Sequence, residues 1–269
     1  MPYPPLFVRE WGTGAPVVFL HGLGASSRYW ERLVTGSSGY QGVAPDLLGF
    51  GRSPKPDDAT YDVATHLDAI APLARPASLV VGHSAGAILA VALAATRPQL
   101  VKTLLLLGLP AFPDETTARQ EVGRLGLLAR LTVQGRPFAR VLCDAMCRLR
   151  PVATAIAPLI IRDLPRAIAS DGARHTWPSY HGTLQHVVVE HRALPDLLAT
   201  DVPVALLQGA DDRAAPVGYA RALVEAAGAE GRQIALQIVE GDHHLAVRRP
   251  NVVATLVSRW AATGGQEIS

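Results

Sequence analysis

Cysteine is almost missing from this chain of 269 residues: only Cys143 and Cys147 are present. Two cysteines cannot build the disulfide framework of a small secreted domain. Their i, i+4 spacing puts both on one helical face, where they read as buried free thiols. No His or Cys lies near them at ligand spacing, so no metal is expected. Charge of one sign is missing too: 25 basic residues, all but two of them arginine, face 23 acidic ones for a net charge of +2. No run of Arg or Lys exceeds two, which argues against the clustered basic face of a nucleic-acid binder. Long hydrophobic runs are absent, because Ala85–Ala95 and Leu104–Leu107 fall short of the about 20 residues that span a bilayer. Met1–Glu10 has neither a basic segment nor an apolar stretch of the signal-peptide kind. The expectation is a reduced, cytoplasmic protein with a small-molecule substrate and with neither nucleic acid nor membrane as partner. Its oligomeric state stays open.

What is present is a large apolar core. Hydrophobic residues make up 49% of the chain and charged ones 18%, which excludes a disordered polymer. Short, uninterrupted apolar runs occur at Val17–Leu20, Gly42–Pro45, Leu79–Val81, Leu104–Leu107, Val204–Leu207 and Ile234–Val239. Each is bounded by turn residues, as strands buried on both faces of a parallel sheet are. Between them lie helical patterns at Val63–Leu73, Ala85–Thr96, Tyr219–Ala227 and Val252–Ala262. The alternation predicts an α/β fold with a doubly wound, mostly parallel sheet. It fails between about Phe112 and Leu194, where helical signals at Val122–Val133, Phe138–Leu149 and Val152–Ile161 are punctuated by Pro137, Pro151, Pro158, Pro165 and Pro178. The predicted organisation is a core of residues 1–111 and 195–269 interrupted by a helical insertion, 112–194. A polar tail follows at Thr263–Ser269.

The sharpest chemical signal is Gly82-His83-Ser84-Ala85-Gly86, a G-x-S-x-G sequence between an apolar strand and a helix. A serine on so tight a turn needs small residues two before and two after it, and the helix directs its positive end at the site. Serine is a weak nucleophile and needs a base held by an acid. Two later strand ends supply candidates. One carries Gly209-Ala210-Asp211-Asp212 and the other Gly241-Asp242-His243-His244. Chemistry alone leaves Asp211 or Asp212, and His243 or His244, open.

Taken together, these motifs resemble the α/β-hydrolase fold superfamily over nearly the whole chain. His21-Gly22-Leu23-Gly24 looks like the family's oxyanion loop, and Asp46-Leu47-Leu48-Gly49-Phe50-Gly51-Arg52-Ser53 like its D-x-x-G-x-G-x-S loop. The pattern Gly209-x-x-Asp212-x-x-x-Pro216 favours Asp212, and a His seven residues before Pro250 favours His243. The resemblance implies Ser84 as nucleophile, His243 as base, Asp212 as orienting acid, and the backbone N–H groups of Leu23 and Ala85 as the oxyanion hole. It implies no cofactor. It also implies that the insertion is a cap, whose Leu, Ile, Phe and Trp content suggests an apolar pocket.

The expected reaction is acyl transfer to water from an ester, lactone or related compound. Relatives of the haloalkane dehalogenase and epoxide hydrolase type carry Asp at the serine position, and dienelactone hydrolases carry Cys, so Ser84 argues against those activities. Other readings remain: a C–C hydrolase of ring-cleavage diketones, a biosynthetic thioesterase or cyclase, and a non-catalytic binder. His21 and His83 read as residues shaping their loops, Asp46 as a partner of local backbone or Arg52, and Asp242 as a turn former. Trp30 reads as core. Trp177 and Tyr180 are possible pocket residues, and His175, His181, His186 and His191 read as ordinary surface or pocket residues.

Overall fold

A computed structural model describes residues 3–34, 39–74, 78–162 and 164–264. Of the polar tail, residues 265–269 lie outside the described residues. Among the described residues, seven strands form one sheet: β1 (Val8–Gly12), β2 (Ala15–Leu20), β3 (Tyr40–Pro45), β4 (Ser78–His83), β5 (Val101–Leu107), β6 (Val204–Gly209) and β7 (Ala235–Val239). Their order is β1-β3-β2-β4-β5-β6-β7. Only the β1–β3 pair is antiparallel. The helices, in chain order, are α1 (Glu31–Val34), α2 (Val63–Ile70), α3 (Ala85–Thr96), α4 (Glu115–Arg124), α5 (Leu127–Val133), α6 (Pro137–Arg148), α7 (Arg150–Ile160), α8 (Arg166–Asp171), α9 (Trp177–Thr183), α10 (Ala193–Leu198), α11 (Val217–Ala229), α12 (Leu245–Arg248) and α13 (Pro250–Thr263).

The strands sort their side chains by parity. Val18, Leu20, Val80, Leu104, Leu106, Val204 and Leu206 join the core on one face of the sheet. Val17, Phe19, Leu79, Val81, Leu105, Leu107, Ala205 and Leu207 join the core on the other. Both sets are apolar because helices cover both faces, so the strands read as continuous runs. Helix α3 is buried from Ala85 to Ala94. Its alanines let it lie close against β4 while α2 and α10 pack on it, as a helix that is apolar all round must.

The two sheet edges depart from the expectation. Strand β7 is half-exposed along its length, because it has a strand neighbour on one side only. Strand β1 had no buried run to announce it: it carries Arg9 and Glu10 and is exposed in part. Its Trp11 ring lies where a side chain on Gly42 would be, so β3 needs glycine there.

Helices α4 to α10 all fall between β5 and β6. The single helix expected over Val122–Val133 is two, because Gly126 takes φ 145°, a conformation that side-chain-bearing residues avoid. Proline opens α6, α7 and α9 in the first turn, where no N–H is needed. The insertion's apolar content does not all turn inward. Leu127, Phe138, Val141, Leu149, Val152 and Ile160 face outward and are exposed.

Candidate active site

Ser84 is the single residue between β4 and α3. It has φ 55° and ψ −122°, and only Ser84 and Tyr61 among the described non-glycine residues have positive φ. Such a conformation costs on the order of 1–3 kcal/mol and persists only where its surroundings enforce it. Here they do. The Ser84 N–H donates to the Leu107 carbonyl at 3.0 Å, and the Ser84 carbonyl accepts from Ala87 at 2.9 Å and Ile88 at 3.3 Å. A Cβ on Gly82 would lie 2.5 Å from the Ala87 Cα, and one on Gly86 would strike the Leu20 and His21 carbonyls. A side chain at either position would therefore force the surrounding backbone to shift.

Asp212 and His243 come together across the ends of β6 and β7. Their Oδ2 and Nδ1 atoms are 2.8 Å apart, and the Asp212 side chain is fully buried. Oδ1 of Asp212 accepts the Ala214 and Ala215 N–H groups at 2.9 and 2.7 Å. Gln208 Nε2 stands 3.3 Å from Oδ2. With the carboxylate oriented in this way, His243 donates from Nδ1, and its Nε2 is the nitrogen with a free lone pair. Gly108 is also part of this contact, because a Cβ there would lie 3.0 Å from His243 Nδ1 and 3.2 Å from Asp212 Oδ2.

The neighbouring candidates line the same cavities, His244 both of them and Asp211 and Asp242 the larger, but make other bonds. Asp211 is exposed, and its N–H donates to the Gly241 carbonyl. His244 Nδ1 has no partner. Burial, followed by the nearby His243, lowers the His244 pKa to about 4. Asp242 accepts from the His244 N–H at 2.9 Å and from Arg248 Nε at 3.1 Å, as a turn residue does.

The loop after β2 faces Ser84. His21 Nδ1 donates to the Gly22 carbonyl at 2.8 Å, and its Nε2 accepts the Leu47 N–H at 2.9 Å. Asp46 accepts the Ser27 and Arg52 N–H groups at 2.6 and 2.7 Å, tying two loops together. Among the described residues, the N–H groups of Leu23 and Ala85 have no protein acceptor. The Ala85 N–H begins α3, where orphan donors and the helix dipole favour negative charge.

Two contacts lie beyond what the sequence predicts. His83 Nε2 donates to the His243 carbonyl at 2.8 Å, while its ring stacks on Tyr29 with centroids 4.3 Å apart. Burial pushes the His83 pKa well down, so the ring stays neutral. Asp171, in α8, accepts from Ser26 Oγ at 2.6 Å and pairs with Arg28 at 3.3 Å and Arg174 at 3.0 Å. That cluster fastens the insertion to the loop carrying Leu23. Nothing in the local sequence marks either contact, since the partners are 160 and 145 residues apart.

Two cavities meet at Ser84 and His243. One, of about 220 Å³, runs past Tyr29 and Leu164 to Ile168 and Ala169. The other, of about 750 Å³, is lined by Val122, Leu125 and Leu184 and also by Arg213 and Arg248. Leu23 and Tyr180 line both. Trp30 is core, and Trp177 stacks on His181 with centroids 4.8 Å apart. His186 and His191 pair with Glu190 and Asp196, each at 2.7 Å. His175 is buried beside Tyr180.

The chain matches the family described as "Alpha/beta hydrolase family" over residues 17–256. It is 32% identical over 236 residues to "Probable lysophospholipase BODYGUARD 4" of Arabidopsis thaliana, covering 77% of this chain and 56% of that protein. It is 38% identical over 102 residues to "Esterase Rv0045c" of Mycobacterium tuberculosis, covering 36% of this chain and 34% of that protein. The chain thus spans little more than half the length of the first of these relatives. Its fold is shared with the enol-lactonase of Burkholderia xenovorans LB400 at a TM-score of 0.71 and 19% identity, covering 97% of this chain and all of the other. This chain belongs to the α/β-hydrolase family.

Proposed function

We propose that this α/β-hydrolase is a serine hydrolase that cleaves an ester, lactone or related acyl bond of a small, largely apolar substrate. The observation that carries the reading is the left-handed backbone of Ser84 at a mouth shared with the His243–Asp212 pair. Such strain at a cavity has a use when it presents a side chain to a reacting group.

In this reading His243 Nε2 takes the Ser84 proton as Oγ attacks the carbonyl carbon. Asp212 holds the imidazole in the Nδ1–H tautomer and stabilises the imidazolium. The Leu23 and Ala85 N–H groups receive the developing oxyanion, a type of interaction worth about 10²–10³ in rate per donor. The alcohol leaves with the proton from His243. Water, activated by the same imidazole, then releases the acid. The helices between β5 and β6 act as a cap: Ile168 and Tyr180 on one side and Val122, Leu125 and Leu184 on the other supply apolar walls. An acyl substrate is in keeping with the names of the lysophospholipase-like and esterase relatives.

The test is turnover of a chain-length series of nitrophenyl esters by wild type and Ser84→Ala. The reading expects activity in the wild type and a loss of at least about 10³-fold in the variant. Equal rates in the two proteins would refute it.

A further inference from the structure

The largest feature that the proposed chemistry leaves unused is the outer face of α5, α6 and α7. On α6, Phe138, Val141, Leu142 and Leu149 (just past its end) recur at helical spacing and are all exposed. On α7, Val152, Ile156, Leu159 and Ile160 do the same, and α5 adds Leu127 and Leu128. The exposure is large: 65% for Phe138 and for Val141, and 76% for Ile160. Elsewhere in the described chain, only Leu198 and Ile238 are large hydrophobic residues of comparable exposure. So many apolar side chains exposed on three consecutive helices that pack on one another mark a surface that meets something other than water.

Charge narrows what that something is. Residues 125–162 contain six arginines (Arg130, Arg136, Arg140, Arg148, Arg150 and Arg162) against one acid, Asp144. The segment is therefore net +5 in a chain whose total is +2, and the remainder is net negative. All of these arginines except the half-buried Arg150 are exposed. Apolar stripes flanked by arginine are the composition of helices that lie in the boundary of an anionic bilayer. A second copy of the chain fits poorly, because a two-fold contact would set this positive face against itself. The face also reaches the site: Ile161 and Leu125 are exposed on it and line the smaller and larger cavities respectively.

We propose that the outer face of α5–α7 docks on an anionic lipid surface, with Phe138, Val141 and Ile160 entering the acyl boundary and the arginines holding the headgroups. The expectation of no membrane partner rested on the lack of a spanning run. A face lying in the interface needs none. The proposal stands on this surface and is independent of the serine chemistry.

Flotation with phosphatidylglycerol and phosphatidylcholine vesicles tests it. Wild type should float with phosphatidylglycerol at least tenfold better than with phosphatidylcholine, and high salt should release it. A Phe138→Ser, Val141→Ser, Ile160→Ser variant should lose at least tenfold in flotation while keeping its turnover of a soluble short ester. Arg136→Glu, Arg140→Glu, Arg148→Glu should do the same, and gives a second reading if the first variant folds poorly. Ser84→Ala should float like wild type, so that a failure of docking and a failure of catalysis are read separately. No flotation with either lipid, or equal flotation with both, would overturn the proposal. So would a dimer in ultracentrifugation that the serine triple variant dissolves while vesicles bind neither protein.

Discussion

His83 donates its Nε2 hydrogen to the main-chain carbonyl of His243 at 2.8 Å. The residue before the proposed nucleophile thus holds the loop that carries the proposed base. His83 is buried, and its ring lies on Tyr29, so the donor has one direction in which to point. We expect His83→Ala to lower kcat by about 10–100-fold with little change in KM, since misplacing a catalytic group by about 1 Å can cost that much. His83→Gln, which still offers an N–H, should recover part of the loss. Steady-state kinetics on one ester reads both effects. A KM defect with unchanged kcat would contradict the positioning role.

Asp212 fixes the tautomer of His243. Asp212→Asn keeps the size of the group but offers an N–H where His243 needs an acceptor. The wrong tautomer follows, and kcat should fall by about 10⁴. Asp211→Asn, on an exposed residue that lines the larger cavity, should cost far less kcat than Asp212→Asn, because His243 Nδ1 bonds Asp212 instead. Kinetics of the two variants side by side separates the adjacent acids.

Gly86 stands where a side chain would strike the Leu20 and His21 carbonyls. Those atoms are backbone and cannot swing away. Gly86→Ala should destabilise the protein by about 1–3 kcal/mol, the usual cost of overpacking, measured as a lower urea midpoint. Gly218→Ala is the control, because a Cβ at Gly218 meets nothing within 4 Å.

His66 gives the stability a pH dependence. It is buried, bonds Thr183 Oγ1 at 2.9 Å through Nε2, and leaves Nδ1 without a partner. Burial lowers its pKa to about 4, against about 6.5 in the unfolded chain. Between those values the unfolded chain holds a proton that the folded one does not. Stability is therefore complete above about pH 6.5 and declines as pH falls toward 4, by on the order of 3 kcal/mol from this residue. Urea midpoints between pH 7 and 4.5 should fall less steeply for His66→Gln than for wild type. Parallel lines would contradict the assignment.

Much of this architecture is legible in the sequence, for a physical reason. Strands buried on both faces, such as Val17–Leu20 and Leu104–Leu107, leave short, uninterrupted apolar runs bounded by turn residues. The turn at Ser84 is equally legible, because steric exclusion at Gly82 and Gly86 writes itself into the sequence. What escapes is structure held by long-range pairing. Strand β1 owes its existence to β3 and carries Arg9 and Glu10 on its own account. The Ser26–Asp171 bond joins residues 145 apart. The direction of the insertion's apolar residues escapes as well. A stripe such as Phe138, Val141, Leu142 and Leu149 reads the same whether it faces a pocket or the outside.

The claim on which most of this depends is that Ser84 is a nucleophile activated by His243. The direct measurement is labelling of the folded protein with a fluorophosphonate, followed by peptide mass spectrometry. One adduct is expected, on Ser84, formed rapidly in wild type, absent in Ser84→Ala and slowed at least about 10³-fold in His243→Ala. An unlabelled Ser84 in folded wild-type protein, or labelling that proceeds unchanged without His243, would contradict it.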